Sequence, residues 1–181
     1  MWLIRADQSG PVLARLADLL DEEERRRAGA FDRPGRRAAF VAAHGAARVV
    51  LGARLGVPPE RLRWLRGPHG KPEVAGGGPQ VSLSHSGNLS MLAMTDRRRV
   101  GVDLQRQPSG EDAARMPARL AARFYLPEEA RSVAAADAPA EQARRFARLW
   151  ARKEACLKVA GGRLVPGLRL AVGGALVHDP G

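Results

Sequence analysis

The feature that most constrains this chain is a change of hydrophobic period partway along it. From Arg36 to Leu55 apolar side chains recur at helical spacing through Phe40, Val41, Ala47, Val50 and Leu51, and Gly56 with Pro58-Pro59 ends the run. The period then drops to two. Leu62–Leu65, Val81–Ser84, Ser90–Thr95 and Val100–Leu104 read as strands, with Gly67-Pro68-His69-Gly70 and Arg97-Arg98-Arg99 as connections. From Glu111 the helical period returns over Glu111–Phe124, Pro127–Ala135 and Ala140–Ala160, the last stopped by Gly161-Gly162. A helix-period pattern does not settle as a strand, nor the reverse. The chain is therefore α+β, dividing near Arg106 to Gly110 into an N-terminal half (1–106) and a C-terminal half (107–181). Upstream, Trp2–Ile4 reads as a strand and Pro11–Leu20 as a helix. Asp21 caps a further helix, EEERRRAGAF, whose acidic start and basic end suit the helix dipole. Leu168–Val172 and Ala175–Val177 are weak strand candidates, and no internal repeat shows at a fixed period.

Composition bounds the function. No run of 18 or more apolar residues argues for a membrane span, and the first residues carry no basic segment followed by a long apolar stretch. A single cysteine, Cys156, cannot form an internal disulfide, which agrees with a cytoplasmic protein. The net charge of +11 asks for an anionic partner. Of 30 basic residues only three are lysines, namely Lys71, Lys153 and Lys158, and each falls within a motif described next. A lysine kept where arginine is the default suggests a site that needs a compact ammonium.

Three constellations carry chemistry. In Val100-Gly-Val-Asp-Leu-Gln105 the valines and Leu104 face one way, and Asp103 with Gln105 the other. Asp103 suits Mg²⁺, a hard ion that takes one or two carboxylates and completes its shell with water and phosphate oxygens. Its alternative is a strand-end Asp satisfied by a turn. Phe146, Trp150, Glu154 and Lys158 step by four along one helix face, aromatic first and charged last. Glu154 and Lys158 read either as metal ligand and phosphate contact or as an ordinary surface pair. Val81-Ser-Leu-Ser-His-Ser-Gly87, preceded by Gly70-Lys71-Pro72, offers hydroxyls, an imidazole and free N–H groups for phosphate. No G-x-S-x-G elbow accompanies the Ser-His pair, so a hydrolase is disfavoured.

Taken in order, Gly70-Lys71-Pro72, Leu83-Ser84-His85-Ser86, Val100-Gly101-Val102-Asp103 and Trp150-x-x-Lys153-Glu154-Ala155-x-x-Lys158-x-x-Gly161 resemble the signature series of the 4'-phosphopantetheinyl transferases, in particular the surfactin-synthetase-activating type. The resemblance runs from about Leu20 to Val172. It implies two similar α/β halves related by a pseudo-twofold, the second shortened at its C-terminus, with coenzyme A between them. The implied activity moves the phosphopantetheine arm of coenzyme A to a carrier-protein serine and releases 3',5'-ADP. Carried over by position, Asp103, Gln105 and Glu154 would hold Mg²⁺ or Mn²⁺, with Asp103, Glu154 and Lys158 catalytic. Lys71, Ser84, His85, Arg36, Arg37, Lys153 and Lys158 would bind coenzyme A, Lys71 and Ser84 beside the adenine.

The implied partner is an acidic fatty-acid, polyketide or peptide carrier protein, and the chain is expected to act as a monomer away from membrane and nucleic acid. Gln105 stands where many members carry a carboxylate, and His44 where relatives often carry Arg. The alternatives are a non-catalytic relative that binds coenzyme A or carrier, and a basic nucleic-acid-binding protein. Against the last, no helix-turn-helix, zinc-ligand or RNP-type pattern occurs.

Overall fold

The chain is seen in a computed structural model that describes residues 1–67, 70–160 and 169–172. It forms two compact units, Met1–Leu104 and Gln105–Gly181. In the first, β1 (Trp2–Arg5) is followed by α1 (Gly10–Asp18), α2 (Glu22–Gly29) and α3 (Pro34–Leu55). Then come a 3₁₀ turn (Pro59–Arg61), β2 (Trp64–Arg66), β3 (Pro72–Val74), β4 (Gln80–Ser86) and β5 (Leu89–Thr95). One antiparallel sheet has the order β1-β5-β4, and β2 with β3 forms a second. Ser86 pairs with Leu89, so β4 and β5 join through two residues. Gly87 takes the first of these places with φ +63, a value that glycine adopts without strain.

The long helix α3 organises this unit. By length and composition it could cross a membrane, yet half of that stretch is buried, and it packs against α1, β1 and β5. Toward its start Val41 packs with Leu20 and Ala28; toward its end Leu51 packs with Leu62 and Val81. Between these clusters lies Arg48, fully buried. Its Nε donates to Glu24 at 2.5 Å, one terminal nitrogen to Asp21, and the other to the carbonyls of Pro59 (3.0 Å) and Leu62 (3.1 Å). The two carboxylates come from the cap of α2. Asp21 accepts from the Glu24 N–H at 2.9 Å, and Glu24 reaches back to the Asp21 N–H at 3.2 Å, as a capping box does. A buried guanidinium survives only when its donors are met by charge and carbonyl oxygen, which this arrangement achieves.

The second unit carries three helices: α4 (Glu111–Phe124), α5 (Pro127–Ala134) and α6 (Pro139–Ala160). Ala121, Tyr125, Val133, Phe146, Leu149 and Val172 form its core. Lys153 is fully buried beside it, paired with Glu129 at 2.6 Å and lying 5.1 Å from the Tyr125 ring centre. Glu129 also accepts from the N–H of Leu126 at 3.3 Å and of Val172 at 3.0 Å.

Several expectations are corrected. Residues 100–104 do not form a strand; the N–H groups of Val102 and Leu104 go to the hydroxyls of Ser82 and Ser84. Residues 169–172 form a turn and irregular chain, tied down by side chains of α5 and α6. Strand β3 was not expected, since Pro72 obscures so short a run. Gly161-Gly162 and Ala175–Val177 lie outside the described residues. One spacing also recurs between the two units that no periodicity shows. Glu24 on α2 with Arg48 on α3, and Glu129 on α5 with Lys153 on α6, are related by one shift (129 − 24 and 153 − 48 both give 105). Pro34 and Pro139, which open the two 22-residue helices, differ by the same number.

Candidate functional site

Within the first unit a cavity of about 850 Å³ opens over α2, α3 and the β4 end of the sheet. One wall is aromatic. Phe31 and Phe40 lie 5.6 Å apart, and His44 stacks on Phe40 at 4.0 Å and 20°. The Arg27 guanidinium covers the Phe40 ring at 4.9 Å. Phe40 and His44 are four apart on α3, so one helix face supplies both rings. His44 Nδ1 lies 2.9 Å from Glu24 Oε1, which fixes the ring's orientation. Burial pushes the Glu24 carboxyl upward, but the bonds from His44 and Arg48 outweigh it and leave its pKa below the usual range. Although Asp21 and Glu24 border the cavity, Arg48 compensates their charge from below. Arg27, Arg36, Arg66 and His85 add basic groups around it. A flat ring and phosphate charge are the chemistry such walls recognise.

The segment that carries Asp103 runs along β4. Ser82 and Ser84 lie two apart on β4, both buried. The Ser82 hydroxyl accepts from the Val102 N–H at 3.1 Å, and the Ser84 hydroxyl from the Leu104 N–H at 3.2 Å. Ser84 then donates its own proton to Asp103 Oδ1 at 2.7 Å. Lys71 donates to the Val100 carbonyl at 3.2 Å. Burial and then the nearby Arg99 hold its ammonium pKa below the ordinary value, Glu73 partly opposing them.

The expected site residues thus fall into distinct settings. Arg36 and His85 are exposed and line the cavity; Arg37 is exposed on the first turn of α3. Ser84, expected beside an adenine, is 4% exposed and committed to Asp103 and Leu104. Lys153, expected at the phosphates, is instead the buried partner of Glu129. Glu154 and Lys158 sit one turn apart on α6, both half-buried. Gln105 is exposed, and its amide donates to the Arg106 carbonyl at 3.2 Å. Among the described residues no three His, Cys, Asp or Glu side chains gather as a metal cage. Arg48, Phe31 and the Glu24–His44 pair were missed. The available signal was Arg48 itself, seven residues after Val41 and so on the apolar face of α3.

An aromatic wall with basic surroundings is suited to a compound that carries a ring and phosphate. Comparison with known proteins gives the family. A sequence profile of the 4'-phosphopantetheinyl transferase superfamily matches residues 99–172. The 4'-phosphopantetheinyl transferase HetI of Nostoc sp. is 36% identical over 166 residues, covering 89% of this chain and 68% of the relative. A phosphopantetheinyl transferase of Thraustochytrium sp. is 31% identical over 94% of this chain and 63% of the relative. The 4'-phosphopantetheinyl transferase AcpT of Salmonella typhimurium is 37% identical over 70% of this chain and 60% of the relative. The chain belongs to the 4'-phosphopantetheinyl transferase superfamily, and its activity is transfer of phosphopantetheine to carrier proteins.

Proposed function

We propose that this chain is a transferase of the surfactin-synthetase-activating type, acting as a monomer on coenzyme A and an acidic carrier protein in the cytoplasm. Its two units serve as the pseudo-twofold halves, a reading supported by the common shift of 105 between their buried pairs (129 − 24, 153 − 48). The cavity wall of Phe40 and His44 receives the ring end of coenzyme A, with Arg36 and His85 at its phosphate. Glu154 and Lys158 act at the diphosphate.

Mg²⁺ fits the residues at hand. Asp103, Gln105 and Glu154 carry hard oxygen ligands, and among the described residues no three His, Cys, Asp or Glu side chains gather as a cage. That is the usual Mg²⁺ arrangement, in which substrate phosphates complete the shell. Bound there, the ion would supply neutralisation of charge on the diphosphate oxygens. Glu154 takes the proton of the carrier serine as its oxygen attacks phosphorus, and Lys158 stabilises the departing 3',5'-ADP. The basic surface attracts an acidic carrier and mainly raises the association rate.

The observation that carries this reading is the Asp103 carboxylate, hydrogen-bonded at 2.7 Å by the Ser84 hydroxyl of β4, the strand whose His85 lines the cavity. The test is the intact mass of an apo carrier protein incubated with this chain, coenzyme A and Mg²⁺. A gain of one phosphopantetheine that EDTA prevents is expected; no gain across several carriers sinks the reading. Glu154→Gln should slow transfer by about 10²–10⁴-fold with the fold retained, since the base is lost. A wild-type rate in that variant removes Glu154 from the mechanism. Gln105, turned to Arg106, favours the alternative of a relative that binds coenzyme A without turnover. Binding of coenzyme A without transfer would establish it.

A further inference from the structure

We infer that Ser84 is a positioning residue for the metal ligand Asp103 rather than a contact for coenzyme A, an inference that rests on the functional reading above. The hydroxyl of Ser84 has one proton and two lone pairs. Its proton goes to Asp103 Oδ1 at 2.7 Å, and a lone pair takes the Leu104 N–H at 3.2 Å. At 4% exposure the residue has little surface left for a ligand. One side chain therefore fixes both the carboxylate and the backbone just after it.

Ser82 provides an internal control. It occupies the same face of β4 two residues earlier, is 3% exposed, and accepts from the Val102 N–H at 3.1 Å. Both serines tie residues 100–104 to the strand, and Ser84 alone also holds the carboxylate at 2.7 Å. The segment is not a strand, and these hydroxyls take two of its N–H groups. A carboxylate ligand held this way keeps one orientation before the metal arrives. Groups that orient metal ligands from behind typically change affinity by about 10–100-fold when removed.

The test uses the full chain with Mn²⁺ as probe, free Mn²⁺ being read by electron paramagnetic resonance in the presence of coenzyme A. Ser84→Ala is expected to weaken Mn²⁺ binding about tenfold or more, Ser84→Thr to restore most of it, and Ser82→Ala to leave it within about twofold. Coenzyme A affinity measured without metal should be unchanged in Ser84→Ala, which a lost ligand contact would not allow. Melting temperature separates stability from binding, since both serines hold a backbone N–H. Should Ser84→Ala fail to fold, Ser84→Cys, with a weak S–H donor, is expected to bind Mn²⁺ at intermediate strength. Wild-type Mn²⁺ affinity in Ser84→Ala, or equal losses in both alanine variants, would overturn the inference. If the unaltered chain transfers phosphopantetheine, that outcome leaves the functional reading standing. Absence of both Mn²⁺ binding and transfer in the unaltered chain would sink the two together.

Discussion

The two units solve one problem with different side chains. Each buries a cation at the same place on a 22-residue helix, Arg48 on α3 and Lys153 on α6. Each neutralises it with the third residue of an eight-residue helix, Glu24 of α2 or Glu129 of α5. In both carboxylates Oε2 serves the cation and the N–H at the helix start. The remaining oxygen differs. Glu24 Oε1 meets His44 at the cavity, whereas Glu129 Oε1 holds the Val172 N–H. The cations follow suit. Arg48 spreads its fork over two carboxylates and two carbonyls, while Lys153 meets Glu129, the Leu170 carbonyl and a tyrosine face. Like arrangements thus border the cavity in one unit and hold the Val172 N–H in the other.

The largest expected effect comes from stranding a charge. Glu129→Ala leaves Lys153 buried without its counter-ion and should lower stability by about 3–5 kcal/mol in urea unfolding. A small loss would mean that Lys153 escapes to solvent and that the two units are not alike. Arg48→Lys comes next, at about 2–3 kcal/mol, because a point charge cannot serve two carboxylates and two carbonyls at once. If Arg48→Lys proves neutral, the fork is irrelevant and the contrast with Lys153 disappears.

Gly45→Ala sharpens the comparison at smaller scale. A Cβ there would lie 2.7 Å from Leu16 Cβ and 2.8 Å from the Leu16 carbonyl oxygen, so α1 would have to move away. Overpacking of about 1–3 kcal/mol should exceed the gain of about 1 kcal/mol for removing a helical glycine. The net loss, about 1 kcal/mol, would appear in the same urea titration. The shift that relates the units places Ala121 opposite Leu16 and Trp150 opposite Gly45 (121 − 16 and 150 − 45 both give 105). By that count a small residue stands for a large one at the first position and a large one for a small at the second.

The smallest effect concerns acid. Glu24 titrates below the usual carboxylate range, so its contribution is present above about pH 4.5 and fades as pH falls through its lowered pKa. The urea midpoint should drop in that window, and Glu24→Gln should flatten the dependence. An unchanged slope would assign the acid sensitivity to other carboxylates.

These pairings also show where the sequence was readable. The helices were, because their apolar period, the Asp21 cap and the glycine after α3 are local signals. The motif blocks singled out Asp103 and His85, and the opening of the long helix Arg36, residues whose chemistry is visible one at a time; Arg36 and His85 lie at the cavity. What they could not show was commitment. Lys153 and Ser84 carry the residue types of a binding site, but burial turns the ammonium to Glu129 and the hydroxyl to Asp103. Residues 100–104 kept a strand's alternation without a strand's partners. The common spacing of 105 stayed hidden because only scattered residues recur at it, Glu24 with Glu129 and Pro34 with Pro139, while the buried cation changes from Arg48 to Lys153.

The bond from Val172 to Glu129 also bears on how the chain emerges during synthesis. Helices α5 and α6 are complete by residue 160, yet the second oxygen of Glu129 waits for an N–H made twelve residues later (172 − 160). The first unit, translated earlier, holds all partners of its buried cation by Leu62. Stalled nascent chains that end between 160 and 172 should therefore show a protease-resistant first unit and a sensitive second, the birth order of the polypeptide setting the order in which its two ion pairs close.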